Sequence, residues 1–116
     1  MGNKIVKNMQ LKDLRKFIKK EDRRLRKHYG GYKDEEKRIL ARTVKLTEEL
    51  GELCDAVLSY NSMQRKDKLD NYDESNLAEE FADVVITTLL LAEVMGVDIE
   101  KALKHKIEKI NKRYEK

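Results

Sequence analysis

Apolar residues along the chain recur at three- and four-residue intervals and almost nowhere in strict alternation. Leu11, Leu14, Phe17, Ile18 and Leu25 form such a series, which predicts an amphipathic helix over about residues 9–28. The run His28-Tyr29-Gly30-Gly31-Tyr32 predicts its end, because paired glycines suit a turn or a left-handed cap. Asp34 is placed to cap a second helix running to about residue 60. Ile39, Leu40, Thr43, Leu46, Leu50, Leu53, Cys54, Val57 and Leu58 lie on one side of it. Residues 61–75 are polar, with Asp67, Asp70, Asn71 and Asp73, and read as a loop. Asn76, with Glu79 three residues on, fits a capping-box variant opening a third helix that ends near Gly96. Asp98 then caps a fourth helix whose stripe is Ile99, Leu103, Ile107, Ile110 and Tyr114. The expected fold is all-α, with four main helices.

The third helix breaks the amphipathic rule. From Val84 to Ala92 it carries no charge on any side, and a helix apolar all round is expected to be buried all round. Three companions from one short chain scarcely suffice to surround it. The pattern therefore predicts a homo-oligomer, a dimer or tetramer, in which helices of several copies complete a bundle.

Composition narrows the class. A chain of 116 residues is a single domain, 1–116, divisible into a basic N-terminal helix and turn (1–33) and a core (34–116). The absence of Pro and the 41% of charged residues exclude an all-β fold and Pro-rich disorder. No stretch approaches the roughly 20 apolar residues of a membrane span, and no apolar run follows the first residues as in a secretory signal. The single cysteine, Cys54, cannot pair within the chain; a reducing cytoplasm is the expected compartment, and Cys54 is expected to be a small core residue. Charge is uneven. Residues 1–33 carry 12 basic and 3 acidic side chains, residues 34–100 carry 7 and 17, and residues 101–116 carry 7 and 2. An acidic middle between basic ends suits a site that holds cations and meets an anionic ligand such as a polyphosphate, although solvated helix faces show such runs too.

The acidic residues fall into two spaced pairs. Glu49 and Glu52 are three apart on the second helix, with Glu48 beside them, and Glu80 and Asp83 are three apart on the third. Residues at this spacing project from one helix face. Glu80 shares its face with Val84, Thr87 and Leu91, so it points toward packed surface, where an ionised carboxylate is costly unless paired or metal-bound. Two such pairs facing each other form an oxygen-only donor set, which favours Mg²⁺ or Mn²⁺. Neither His28 nor His105 has a Glu three residues before it, which removes a di-iron bundle. Gly51 stands between the glutamates, mid-helix, at a cost of about 1 kcal/mol relative to Ala. A close approach by a neighbouring helix or a ligand would explain it, and so would a tolerated weak spot.

The motif of Glu48, Glu49 and Glu52 followed by Glu80 and Asp83 resembles the MazG-like all-α nucleoside triphosphate pyrophosphohydrolases, a superfamily that includes dimeric dUTPases, dCTP pyrophosphatases and phosphoribosyl-ATP pyrophosphohydrolases. The resemblance covers about residues 34–116. It implies Mg²⁺-dependent cleavage between the α and β phosphates of an NTP or dNTP, giving a monophosphate and pyrophosphate. It implies Glu49, Glu52, Glu80 and Asp83 as metal ligands and Glu48 as the residue that orients the attacking water or binds a further metal. The basic C-terminal stretch, by the same likeness, implies Lys106, Lys109, Asn111 and Arg113 as contacts to substrate phosphates. Two other readings compete: phosphoribosyl-ATP hydrolysis, and a non-catalytic module whose basic first helix contacts nucleic acid. The sparse aromatics there (Phe17, Tyr29, Tyr32) speak against the second.

Overall fold

The computed structural model of the chain describes residues 8–28, 34–61 and 74–115. Within them the structure is all-α, with four helices: α1 (Leu11–His28), α2 (Glu35–Tyr60), α3 (Glu74–Val94) and α4 (Ile99–Lys112). The expected turn at 28–32 and most of the loop at 61–75 lie outside the described residues.

Local chemistry sets the helix ends. The Asp34 carboxylate accepts from the Glu36 amide at 2.9 Å, and Asp98 accepts from the Lys101 amide at 3.1 Å, each satisfying a donor that the first turn leaves free. Gly96, at φ +70°, ends α3 in the left-handed region. The amide of Val97 reaches the Ala92 carbonyl at 2.9 Å, and that of Gly96 reaches Glu93 at 3.1 Å, the paired closure of a Schellman cap. Asn76 does not cap α3, which begins two residues earlier, at Glu74; Asn76 sits inside the first turn.

Helix α3 is the centre, with α1 and α2 packed on it. Ile18 of α1 meets Leu89 and Leu90 of α3, with Leu14, Leu25, Ile86 and Ile99 around them. A buried ion pair crosses this core. Arg42 of α2 holds Asp22 of α1 at 2.7 Å and donates to the Leu90 carbonyl of α3 at 2.8 Å, while Asp22 also meets Arg26 at 2.9 Å. Arg42 thus ties three helices together. Partly exposed ion pairs of Lys19 with Glu93 and of Arg15 with Glu100 join the N-terminal half of the same α1 stripe to the end of α3 and the start of α4.

Two expectations change. The apolar stripe of α2 splits: Ile39, Leu46, Leu53 and Val57 are half-buried, whereas Leu40, Leu50, Leu58 and Cys54 are exposed. The stripe is wider than the one face α3 can cover. The uncharged run of α3 is likewise covered on one side only: Thr87, Leu89 and Leu90 are buried, but Val85 is 51% exposed. Helix α4 contains no buried residue, and Leu103, Ile107, Ile110 and Tyr114 face outward.

Candidate metal centre

The long α2 and the start of α3 lie side by side, and this pairing brings the acidic motifs together. Glu49 of α2, 7% exposed, shares a site with Glu80 and Asp83 of α3, their oxygens within 4.8 Å of one another. Glu49 also groups with Glu48 and Glu52 within the same limit. Glu49 is therefore the hinge of two overlapping carboxylate clusters. Every acidic residue singled out from the sequence belongs to one of them.

The electrostatics of these clusters is unbalanced. The Oε2 atoms of Glu49 and of Glu80 are buried and have no hydrogen-bond partner. Loss of water around the Glu80 carboxyl, first, and then the charges of Glu52, Asp83, Glu49 and Glu79 raise its pKa above the ordinary 4.5. A partly compensating cation is present at the rim. Lys45 reaches Oε1 of both Glu48 and Glu49 at 3.2 Å, and these hydrogen bonds, that of Glu48 first, raise its pKa above 10.5. Lys45 stands three and four residues before its partners, so spacing alone could have found it.

The clusters open into a groove of ≈ 580 Å³ between α2 and α3, within the range of small-ligand sites. Glu48, Glu52 and Glu80 line one part, and Asp55, Ser59 and Asn76 extend it. Asp55 and Ser59 carried no motif that marked them, and Asn76 stood out only as a candidate helix cap. Lys106, Lys109, Asn111 and Arg113 are all exposed on α4 or at its end, and none lines the groove of its own chain.

The donor set suits a hard divalent cation. It offers several carboxylate oxygens within one coordination sphere's reach, two of them buried without a partner, and no sulfur or imidazole. Among the described residues no helix is long and apolar enough to cross a membrane.

Carboxylates of two helices converging beside an open groove are a setting suited to metal-assisted hydrolysis. Residues 38–116 match the model of the MazG nucleotide pyrophosphohydrolase domain, and the chain belongs to that family. It is also similar to the uncharacterised protein YvdC of Bacillus subtilis (strain 168), with 33% identity over 112 residues, covering 92% of this chain and 98% of that protein. No solved structure matches the chain.

Proposed function

We propose that the protein is a Mg²⁺-dependent pyrophosphohydrolase of the nucleotide pool, acting as a homo-oligomer in the cytoplasm on an NTP or dNTP. The observation that carries this reading is the pair of buried, partnerless oxygens of Glu49 and Glu80 facing Asp83 and Glu52. Glu49, Glu52, Glu80 and Asp83 would hold the cation. When bound there, Mg²⁺ neutralises phosphate charge and acidifies coordinated water, and Mn²⁺ can substitute. Glu48, exposed at the edge of the cluster, orients the attacking water and accepts its proton. The water oxygen bonds to phosphorus as the α–β bridge opens, leaving a monophosphate and pyrophosphate. Phosphoryl chemistry needs little from a protein beyond this positioning and charge.

The oligomer is supported by large apolar side chains left exposed among the described residues, such as Leu40, Leu50, Val85 and Leu103. The exposed apolar residues of α2, α3 and α4 supply the cover that such assembly needs. Lys106, Lys109, Asn111 and Arg113 do not line their own groove, so they meet substrate phosphates from α4 of a neighbouring copy.

The test is pyrophosphate release from a panel of NTPs, dNTPs, deaminated and oxidised nucleotides and phosphoribosyl-ATP, with Mg²⁺ and with chelator. Metal-dependent release from one or a few members supports the reading. Silence across the panel from folded protein removes it.

A further inference from the structure

Gly51 is a helix-weakening residue for which the folded chain offers no reason. It lies in the middle of α2, flanked by well-formed turns on both sides. Its backbone does not take a positive φ, which among the described glycines is confined to Gly96. A Cβ built at Gly51 meets nothing within 4 Å, so no neighbouring helix approaches it closely either. Both usual intramolecular demands for glycine are therefore absent.

Its place in the site supplies another. Gly51 lines the groove with Glu48 and Asp55, its neighbours at three- and four-residue spacing on the same face of α2, and with the adjoining Glu52. Those three are long or charged side chains, and Gly51 leaves a notch between them where bare backbone meets the groove. The notch lies among the metal-holding carboxylates of α2, between Glu48 and Glu52, and the groove continues past Asp55 to Ser59 and Asn76. A ligand anchored by its phosphates at these carboxylates and extending toward Ser59 and Asn76 would run along the face of α2 that carries this notch. We propose that Gly51 is a clearance position, the point at which the bound nucleotide passes against the backbone of α2, and that any side chain there obstructs it. The inference rests on the nucleotide reading above and adds a residue that sets how the ligand lies.

The experiment compares wild type with Gly51→Ala and Gly51→Leu. The probe is the α,β-methylene analogue of whichever NTP or dNTP the wild type hydrolyses fastest, titrated with Mg²⁺ by calorimetry. Gly51→Ala is expected to weaken analogue binding about tenfold or more and Gly51→Leu to abolish it. Mn²⁺ binding without nucleotide should stay within about twofold, because the carboxylates are untouched. The melting temperature of ligand-free Gly51→Ala should rise by roughly 4 °C, since Ala favours the helix that Gly weakens. Tighter helix with poorer nucleotide binding is a combination that a mere weak spot does not produce. Analogue binding equal to wild type in Gly51→Ala overturns the inference and leaves the activity standing. Dissociation of the oligomer by Gly51→Ala also overturns it, and gives the notch to a second copy. A wild type that hydrolyses nothing in the panel removes both.

Discussion

Arg42 and Glu49 stand two helical turns apart on α2, on the same face, and are 9% and 7% exposed. Two buried charges so alike in position are treated in opposite ways. Arg42 finds a carboxylate on α1 at 2.7 Å and a carbonyl on α3 at 2.8 Å. Glu49 finds other carboxylates, a rim lysine for one oxygen and nothing for the other. Burying a charge with its partners makes a brace; burying one without them leaves a site that a cation completes. The same helix pair thus carries a structural end, near Leu90, and a chemical end, near Glu80.

Breaking the brace should have the largest effect. Arg42→Ala strands Asp22 and frees the Leu90 carbonyl, and a stability loss of about 3 kcal/mol is expected in urea unfolding. The value sits at the low end for a broken buried pair because Arg26 stays on Asp22. Replacing both partners with apolar residues, Asp22→Leu with Arg42→Met, should cost much less than Arg42→Ala alone. A double variant as unstable as the single one would mean that the ion pair contributes more than mutual compensation.

The same kind of substitution at the other end should reverse in sign. Glu80→Gln removes a charge repelled by Glu52, Asp83 and Glu49, so the metal-free protein should melt higher than wild type in chelator. Pyrophosphate release should fall on the order of 100-fold or more, with helicity kept. Glu49→Gln and Asp83→Asn should share the loss of activity. A Glu80→Gln protein that melts lower in chelator would show that Glu80 is compensated after all.

Metal then sharpens the contrast. Mg²⁺ at a hundred times its dissociation constant stabilises a protein that binds it only when folded by about 2.7 kcal/mol, and Glu49→Gln should abolish that shift in melting temperature. Arg42 variants should retain it. Acidity offers a second reading of the same end. Because the folded-state pKa of Glu80 is raised, the metal-free fold holds that proton more tightly than the unfolded chain does. Its stability should therefore fall as pH rises from about 4.5 toward the folded value, and remain lower above it. Saturating Mg²⁺ should flatten or invert that slope.

How much of this was legible depended on how local each signal was. The caps at Asp34 and Asp98 and the stop at Gly96 act within two to five residues, and each could be read from its own neighbourhood. The acidic pairs are likewise i, i+3 signals, but that the two pairs face each other was a supposition until the packing of α2 on α3 brought them together. Asp22 and Arg42 are 20 residues apart on different helices, and nothing in either neighbourhood foretold their pairing. Arg42 interrupts an apolar face, which alone hints at a buried partner. Leu40, Leu50 and Cys54 show the other limit. Hydrophobic spacing says which residues are apolar, not which surface covers them, and a single chain leaves these three exposed. Asn76 was misread because Asn and Glu at capping spacing also occur inside a first turn.

The smallest effect belongs to α4, the element that the rest of the chain supports least. With no buried residue, it relies on its own first turn, and Asp98 is the group that closes that turn. The backbone N–H of Lys101, above all, holds the Asp98 carboxyl below its ordinary 3.8, and Arg15 acts in the same direction. A depressed folded-state pKa contributes stability that is present above 3.8 and lost as pH falls through the lower, folded value. This slope is opposite to that of Glu80. Asp98→Ala should reduce helical ellipticity slightly at neutral pH and leave no further loss of α4 helicity in acid. Asp98→Asn keeps an acceptor for the Lys101 amide but no titrating charge, so ellipticity at neutral pH should stay near that of wild type while the acid-dependent loss disappears. If the Asn variant behaved like Ala at neutral pH, the charge of Asp98 acting on the helix dipole and Arg15, rather than the hydrogen bond, would be what holds α4.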